Sequence, residues 1–437
     1  MGGHDAWNTQ FLPAALELQP LTAEQVQSAI VKAGPAAQPL AAAIGRDSVL
    51  AELLGTPLLL SIAARTFAGN PGLVIAGQGS AELRQALLDA YIAQMLRRRP
   101  VGSATPSLRL LRCLHWLAQY MTSAQSSLFL MERLQPTALR TDRLYKLAVG
   151  LVFGLVFGLV FGLVFGLVFG LVFGLIFGLI FGLVFGLVFG LVFGLSANEV
   201  QPVEQMRWSW PRIREHREWK TFLRDCLVFQ LVFGLVGGLV GGLIGPQVGG
   251  RTGGLYYGLL FGPVLGLVHH LSQGWTKTLN EQSIRPNQGI HSSIRNGVTE
   301  GITIGLVFGL VFGLVSVLIT GLAFGLPFVP VLVLLSVLYL GWFFGLPVGL
   351  FFLLRGGLGE ALKHYVLRAF LWYEVGLPLR LVPWLELCRS LLLLRREGGG
   401  YRFWHATLQD HFASLDDARL NEIAQRSLAE DFYQPRY

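Results

Sequence analysis

A four-residue repeat dominates the middle of this 437-residue chain. From residue 150 to residue 194, glycine recurs at every fourth position, with Leu-Val-Phe or Leu-Ile-Phe between successive glycines. The surrounding stretch, residues 148–195, contains neither a charged residue nor a proline. In water such a stretch would aggregate, because its apolar surface is continuous and nothing interrupts it. The repeat therefore restricts the chain to structures that bury a long apolar segment, in protein or in lipid.

The repeat fits two kinds of secondary structure. As a β-strand it would place Gly and Val on one face, with Leu and Phe on the other. As an α-helix it would align the glycines in one ridge, because four residues advance by about 400°. In lipid a helix pairs its backbone groups within the segment, which outweighs the cost of about 1 kcal/mol for each glycine. We therefore expect a helix with a GxxxG packing face, which favours close right-handed crossings.

The length of the repeat predicts a hairpin. The 48 residues from 148 to 195 would form a helix of about 72 Å, whereas the hydrocarbon core of a bilayer is about 30 Å thick. We expect two spans with a turn near residues 170–174. Two further apolar pairs follow, with a kink expected at Pro347. Their spans are residues 227–245 with 253–271, and about 302–325 with 329–353, so the sequence predicts six spans in three hairpins.

The charges of the connecting segments predict the topology. Residues 196–225 carry six basic residues and residues 273–297 carry three, whereas the turns on the opposite side carry only Arg251. The positive-inside rule therefore places both long loops in the cytoplasm. An even number of spans then places both flanks, and both termini, in the cytoplasm as well.

Composition excludes several classes of function. Hydrophobic residues make up 53% of the chain and charged residues only 14%, against about 25% in soluble domains. An ordinary soluble enzyme is thereby excluded, and the net charge of +8 suits anionic lipid headgroups better than nucleic acid. The predicted spans hold no ionisable residue well inside them, which argues against a coupled transporter. Gln230 is the main polar residue there, and Glu300 lies at a span entrance.

Cysteines and histidines give no sign of a disulfide framework or a metal site. Cys113, Cys226 and Cys388 are far apart and odd in number, so we expect free thiols in a reducing compartment. His269 and His270 lie side by side at a span end without a third ligand. We therefore predict no metal in this chain.

The two flanks are predicted to be soluble and helical. Thr22 is expected to cap the first helix, with Gln25 as its capping-box partner. Amphipathic helices are expected at 48–68, 81–99 and 109–121, and in the second flank at 359–373 and 383–392. The three glycines at 398–400 separate two strand-like runs and predict a β-hairpin, followed by a helix at 405–415. Two helices, a hairpin and a helix are typical of a winged-helix module. The fold class is thus mainly α: a polytopic helical membrane protein with glycine-zipper hairpins, a helical subdomain and a winged-helix-like module.

Five segments in order along the chain carry a family resemblance. They are LLGTPLLLS at 53–61, DAYIAQMLR at 89–97, SLFLMERLQP at 127–136, SIRPNQGI at 283–290 and YRFWHATLQDHFA at 401–413. Together they resemble bacterial NACHT-type NTPases of the STAND class of signalling ATPases, whose cyanobacterial-type members also have Gly-Leu-rich spans. The resemblance covers residues 16–415 and implies a location in the bacterial inner membrane.

The resemblance also implies nucleotide contacts at two positions. Pro57 matches the proline that packs on the adenine ring, and His405 matches the winged-helix histidine that contacts the β-phosphate of ADP. The P-loop pattern GxxxxGK[ST] is absent, as is an acidic Walker B strand end. The chain therefore looks like the part of such a protein that lies C-terminal to its catalytic core. We expect no catalytic residue and no hydrolysis by this chain, with ATP or ADP binding only in an intact family member.

The resulting domain prediction has seven parts. They are a cytosolic helical subdomain (1–147), hairpins at 148–195, 227–272 and 301–354, cytosolic loops at 196–226 and 273–300, and a winged-helix-like domain (355–437). The predicted function is a membrane-anchored regulatory part of a STAND NTPase, which couples the nucleotide state to the membrane. The expected partners are the lipid bilayer, other copies through the Gly-rich faces and an unidentified signalling protein. The alternatives are an oligomeric pore acting in defence or cell death, and a decayed fragment without function.

Overall fold

The computed structural model describes most of the two flanks and two of the three predicted hairpins. The described residues are 19–69, 79–98, 104–168, 170–200, 205–208, 223–224, 227–228, 231, 275–278, 286–324 and 330–428. Contacts divide the chain into two compact units. Unit 1 comprises residues 1–127, 385–395 and 402–437, and unit 2 comprises residues 128–384 and 396–401.

The described chain is mainly helical, as the sequence predicts. The helices before the spans are α1 (Ala23–Ala33), α2 (Gln38–Ile44), α3 (Ser48–Leu53), α4 (Pro57–Gly69), α5 (Ser80–Arg97) and α6 (Ala104–Ser123). The long helices are α7 (Asp142–Val168), α8 (Gly170–Leu195), α9 (Gln288–Phe324) and α10 (Pro330–Arg355). The helices after them are α11 (Gly357–Val375), α12 (Leu381–Ser390), α13 (Ala406–Ser414) and α14 (Asp417–Arg426). Strand β1 (Gln205–Trp208) pairs antiparallel with β2 (Trp275–Thr278), and β3 (Leu394–Glu397) pairs with β4 (Gly400–Phe403).

The start of unit 1 follows its local sequence signals. The Thr22 hydroxyl accepts a hydrogen bond from the Gln25 backbone at 3.3 Å, and the Gln25 side chain accepts one from the Thr22 backbone at 2.9 Å. This confirms the predicted capping box, which satisfies two N–H groups that a helix end leaves free. Helix α1 then buries Val26 and Ile30 on one face.

The prediction of one helix at 48–68 is wrong, because α3 and α4 are separate. Helix α3 ends at Leu53, and the chain turns through Gly55, whose carbonyl accepts a hydrogen bond from the Leu21 backbone at 2.7 Å. Pro57 then begins α4. Proline suits the first position of a helix and disrupts its interior, since it has no N–H to donate.

The C-terminal flank contains the predicted hairpin and helix and one more element, and residues 396–401 of the hairpin belong to unit 2. Gly398 adopts a φ of 58° in the turn between β3 and β4, a left-handed conformation that glycine accepts without strain. Helix α13 follows, close to the predicted 405–415. Helix α14 is not anticipated from the sequence; the Asp416 carboxylate caps it by accepting from the Arg419 backbone at 2.8 Å.

Four helices of unit 2 are long and apolar enough to cross a membrane. They are Asp142–Leu167, Gly174–Leu195, Gln288–Leu314 and Val333–Arg355. The repeat is helical. Its first helix ends at Val168 and its second begins at Gly170, just before the predicted turn. The third predicted pair is also helical, although α9 begins at Gln288, well before the predicted start at 302. The second predicted hairpin at 227–272 and the bend at 326–328 lie outside the described residues, apart from short pieces at 227–228 and 231.

Glycines of α7 and α8 face each other in one constant register. A Cβ atom added to Gly150 would lie 2.8 Å from the Gly190 carbonyl oxygen, and one added to Gly154 would lie 2.7 Å from that of Gly186. The same pairing continues through Gly158 with Gly182 and Gly162 with Gly178. Real Cβ atoms do not approach an oxygen so closely. The two backbones can therefore pack at this separation only because the side chains are absent.

Phenylalanine and leucine occupy the other faces of this hairpin. Phe157 stacks on Phe189 with ring centroids 4.0 Å apart, and Phe161 stacks on Phe185 at the same distance. The repeat leucines whose side chains the structure describes point outward and are largely exposed. A repeat of four residues exceeds the 3.6 residues of a helical turn, so a constant register requires the pair to wind in a right-handed sense. Each helix of the hairpin thus has a glycine face that packs against its partner, a phenylalanine face that stacks and an exposed leucine face.

Helices α9 and α10 use the same arrangement. Added Cβ atoms on Gly305 and Gly349 would each lie 2.8 Å from a backbone oxygen of the opposite helix, that of Gly345 and Gly301 respectively. The two pairs of helices also touch, since Phe165 of α7 meets Phe343 of α10 edge to face with centroids 5.0 Å apart. Aromatic pairs of this geometry add about 0.5–1.5 kcal/mol beyond the area that they bury.

Replacing the facing glycines should weaken the first hairpin. The double variant Gly154→Ala with Gly158→Ala inserts two methyl groups against backbone oxygens, so we expect a loss of about 1–3 kcal/mol for each substitution. The measurement is the free energy of SDS-induced unfolding of the full chain in mixed micelles, followed by circular dichroism. The matched control is Leu155→Ala with Leu159→Ala on the exposed face, and an equal loss in the control would contradict the packing described.

Candidate functional site

Within unit 1, a buried carboxylate joins residues that precede the candidate spans in the chain to residues that follow them. Asp89 of α5 is 1% exposed and accepts a hydrogen bond from His411 Nε2 of α13 at 2.8 Å and from Arg419 Nε of α14 at 2.7 Å. His411 is itself buried, whereas Arg419 is partly exposed. A carboxylate so deeply buried is tolerated only when both of its oxygens have partners, which these two side chains provide. The hydrogen bond to Asp89 raises the pKa of Arg419, which therefore remains charged.

Further hydrogen bonds of unit 1 connect the same two stretches of sequence. The ring of His115 in α6 lies 2.7 Å from the Phe412 carbonyl oxygen, and the Tyr91 hydroxyl donates to the Leu392 carbonyl oxygen at 3.0 Å. Arg97 at the end of α5 donates to the Arg426 carbonyl at the end of α14. Residues that precede the spans are thus tied at several points to residues that follow them. In chain order, the four candidate spans lie between the parts of unit 1.

His405, predicted from the family resemblance, lies in a positively charged part of unit 1. It is the N-cap residue of α13 and is half-buried, and its side chain makes no capping hydrogen bond. Burial lowers its pKa, and the nearby guanidinium groups of Arg395 and Arg65 lower it further. Arg65 also lies over the ring of Trp404, 6.0 Å from its centre. Arginines beside an imidazole suit a phosphate group, because guanidinium donors pair well with its oxygens.

Pro57, the other predicted site residue, is exposed at the first position of α4. Arg65 lies eight residues further along the same helix, about 12 Å from Pro57 along the axis. The structure therefore brings Arg65 to His405 and leaves Pro57 at the far end of α4. The sequence reasoning did not assign a role to Arg65 or to Arg395, which form the charged surroundings of His405.

Unit 2 has a polar cluster of its own where α11 meets the segment before the spans. His364 is fully buried and lies 2.6 Å from the Met131 carbonyl oxygen. Burial and the neighbouring Arg368 lower the pKa of His364 to about 3, so the ring is neutral and donates this hydrogen bond. Arg368 donates in turn to the Asn287 side chain at 2.7 Å, next to the start of α9. The cluster fixes α11 to α9 without an exposed site.

Metal and thiol chemistry find no support in the part of the chain that the structure describes. No group of three or more His, Cys, Asp or Glu side chains is placed to hold a metal ion within the described ranges. His269 and His270 lie outside those ranges. Cys113 and Cys388 are buried thiols, and burial raises the pKa of Cys113 to about 11. A thiol with so high a pKa is protonated and unreactive at neutral pH.

Comparison of the chain with protein-family models, curated proteins and solved structures finds no match. The site is therefore described by its own geometry. The Asp89 cluster was not predicted, although Asp89 and His411 both lie in segments that carry the resemblance. The available signal was weak: Asp89 is an acidic residue among the buried Leu88, Tyr91 and Ile92 of α5.

The pKa of His405 should respond to its arginine neighbours. In Arg65→Gln one positive charge is removed, so protonation of the ring costs less and the pKa of His405 should rise toward its ordinary value of about 6.5. The measurement is an NMR titration of the ring, assigned with His405→Gln.

Arg389→Gln is the matched control, because Arg389 pairs with Glu386 at 2.7 Å elsewhere on the surface. A fall in the His405 pKa in Arg65→Gln, or an equal rise in the control, would contradict the electrostatic description.

Proposed function

We propose that this chain is the membrane-anchored regulatory part of a NACHT-type STAND NTPase. In this proposal unit 1, which contains most of the helical subdomain and residues 385–395 and 402–437 of the winged-helix-like module, changes its conformation with nucleotide state. The apolar helices hold the protein in the bacterial inner membrane, with both termini in the cytoplasm. The chain itself performs no hydrolysis and acts on an unidentified signalling partner.

One observation carries the coupling between switch and membrane. Asp89 lies before the spans, and both of its partners, His411 and Arg419, lie after them. In this proposal, loosening of the buried cluster is transmitted along the chain to the four candidate spans of unit 2, called the membrane block from here on. Breaking a buried ion pair by removing one partner typically costs about 3–5 kcal/mol. A switch that acts on this cluster would therefore strongly change how tightly the parts of unit 1 pack against each other.

The nucleotide part of the proposal rests on the resemblance and on the charges around His405. In an intact family member His405 would contact the β-phosphate of ADP, with Arg65 and Arg395 providing the positive surroundings. A bound phosphate would offset the two guanidinium charges and would strengthen its contact when the ring is protonated. Pro57 would pack on the adenine ring, as it is placed at an exposed helix start.

The membrane part of the proposal treats the facing glycines as glycine zippers. Close backbone packing, together with stacked phenylalanines, would hold each hairpin together in lipid, where hydrophobicity cannot drive helix association. The glycines of α7 and α8 already contact each other within the chain. Self-association through Gly-rich faces, as predicted, would therefore have to use residues outside these hairpins.

The alternative function is an oligomeric pore. The described hairpins favour the anchor, because their outward faces are rows of leucine and their glycines pack against each other. A pore made from these helices would be lined by leucine, which does not support a hydrated channel. Leakage of a small dye from liposomes at high protein density, absent from liposomes without protein, would favour the pore over the anchor.

Loosening the Asp89 cluster should accelerate amide exchange at the residues next to the candidate spans. In Asp89→Asn the carboxylate charge is lost, and amide exchange in α5, α13 and α14 should accelerate by about two orders of magnitude or more. If the coupling is real, exchange should also accelerate at residues 142–147 and 357–363, which flank the spans. The measurement is hydrogen–deuterium exchange of the full chain in nanodiscs. Arg419→Gln gives a milder variant in case Asp89→Asn does not fold.

The matched control is Arg112→Gln, which removes an exposed ion pair with Asp417 of 3.1 Å. Exposed pairs contribute little, so exchange in this variant should remain near that of the unmodified chain. Faster exchange in α5 and α13 with unchanged exchange beside the spans would contradict the coupling. Mg-dependent ATP hydrolysis by the purified chain would contradict the non-catalytic role.

A further inference from the structure

Helix α11 follows the last candidate span and packs beside the first one. It follows α10 after the single residue Gly356 and runs beside the start of α7. The Arg140 backbone donates to the Glu374 carboxylate at 3.1 Å, and the ring of Tyr145 meets Phe370 edge to face with centroids 6.3 Å apart. The second half of α11 therefore lies at the height at which the candidate span Asp142–Leu167 begins.

The outer face of α11 is aromatic. Tyr365, Trp372 and Tyr373 are 45%, 51% and 83% exposed. Their spacing of seven and eight residues places them on one side of a helix. The adjoining surface of α7 exposes Leu144 and Leu147. Water is a poor surrounding for these large and exposed apolar groups.

Basic side chains accompany this aromatic face. Arg140 and Arg143 are exposed at the start of α7. Asp142 pairs with Lys146 at 2.6 Å, and the Glu374 carboxylate, which keeps its charge, accepts from the Arg140 backbone. Three basic and two acidic side chains are thus named here, which leaves a net charge of +1.

We propose that Tyr365, Trp372 and Tyr373, with Arg140 and Arg143, form a belt that contacts the anionic headgroup layer of the bilayer. Trp and Tyr concentrate at this layer because one end of each ring system is apolar and the other polar. Each arginine near an anionic surface adds about 1 kcal/mol. The belt is continuous with the leucine faces of the spans and would fix the depth of the block. The inference rests on the membrane placement in the proposed function. Its test distinguishes a failure of the belt from a failure of that placement.

The test uses the full chain in nanodiscs of phosphatidylglycerol and phosphatidylcholine. Lipids carry a spin label either at the headgroup or deep in the acyl chain, and the emission of Trp372 is obtained by subtracting Trp372→Phe. Trp372 should lose most of its emission with the headgroup label and little with the deep label. Trp342, exposed within the span Val333–Arg355, should show the reverse. Trp384 is buried in unit 2 and should respond to neither label.

The headgroup charge is tested with the label on one lipid at a time. Labelled phosphatidylglycerol should quench Trp372 more strongly than labelled phosphatidylcholine. The double variant Arg140→Gln with Arg143→Gln should remove this preference and leave the quenching itself. An unchanged preference in the variant would overturn the electrostatic part of the inference.

Three further results would overturn the belt or its premise. If the deep label quenches Trp342 and neither label reaches Trp372, which aqueous acrylamide quenches instead, the aromatic face lies in water. If neither the lipid labels nor acrylamide reaches Trp372, another protein surface covers it. If the labels also fail to reach Trp342, the membrane placement of the spans is wrong and the proposed function fails with it.

Discussion

Close backbone packing between antiparallel helices sets the geometry of the four candidate spans. In lipid the hydrophobic effect does not draw helices together, so packing contacts must do so. Glycine every fourth residue lets the backbones of α7 and α8 approach until only hydrogen atoms separate them, from Gly150 near one end to Gly178 near the other. A single larger side chain in this row would separate the helices locally. The aromatic stacking of Phe157 and the outward leucines follow from this one contact.

A different interaction joins the two stretches of unit 1 that precede and follow these helices in the chain. Asp89 is held by two side chains that lie more than three hundred residues away in the sequence. Hydrogen bonds from Tyr91 and Arg97 reinforce the same connection. In chain order the candidate spans therefore lie between two stretches that meet within unit 1. In the proposed function, this chain order is the route by which nucleotide state would affect the spans.

Local signals account for the features that the sequence predicts well. The capping box at Thr22, the turn at Gly398 and the helical repeat all depend on residues within a few positions of each other. The early start of α9 was missed because polar residues such as Ser293 and Glu300 are buried inside unit 2. A hydropathy pattern interprets such residues as a loop, whereas tertiary contacts keep them in a helix.

Long-range contacts explain what the sequence does not predict at the candidate site. Nothing near Asp89 indicates that His411 and Arg419 will meet it, because their positions depend on the folding of the whole unit. His405 was identified by resemblance, yet the charges that act on it come from Arg65 and Arg395 on other elements. The break between α3 and α4 does not depend on long-range contacts. Proline at a helix start is a local signal, and at Pro57 it outweighs the continuous apolar pattern.

The sidedness of the span ends tests most directly whether the repeat forms a hairpin in the membrane. Single cysteines at Asp142, Ser196, Gln288 and Arg355, in a chain whose three native cysteines are replaced by serine, can be labelled with a membrane-impermeant maleimide from either side of sealed vesicles. All four positions should react from the same side, the one that corresponds to the cytoplasm. Labelling of Ser196 from the side opposite to Asp142 would contradict the hairpin and the membrane architecture built on it.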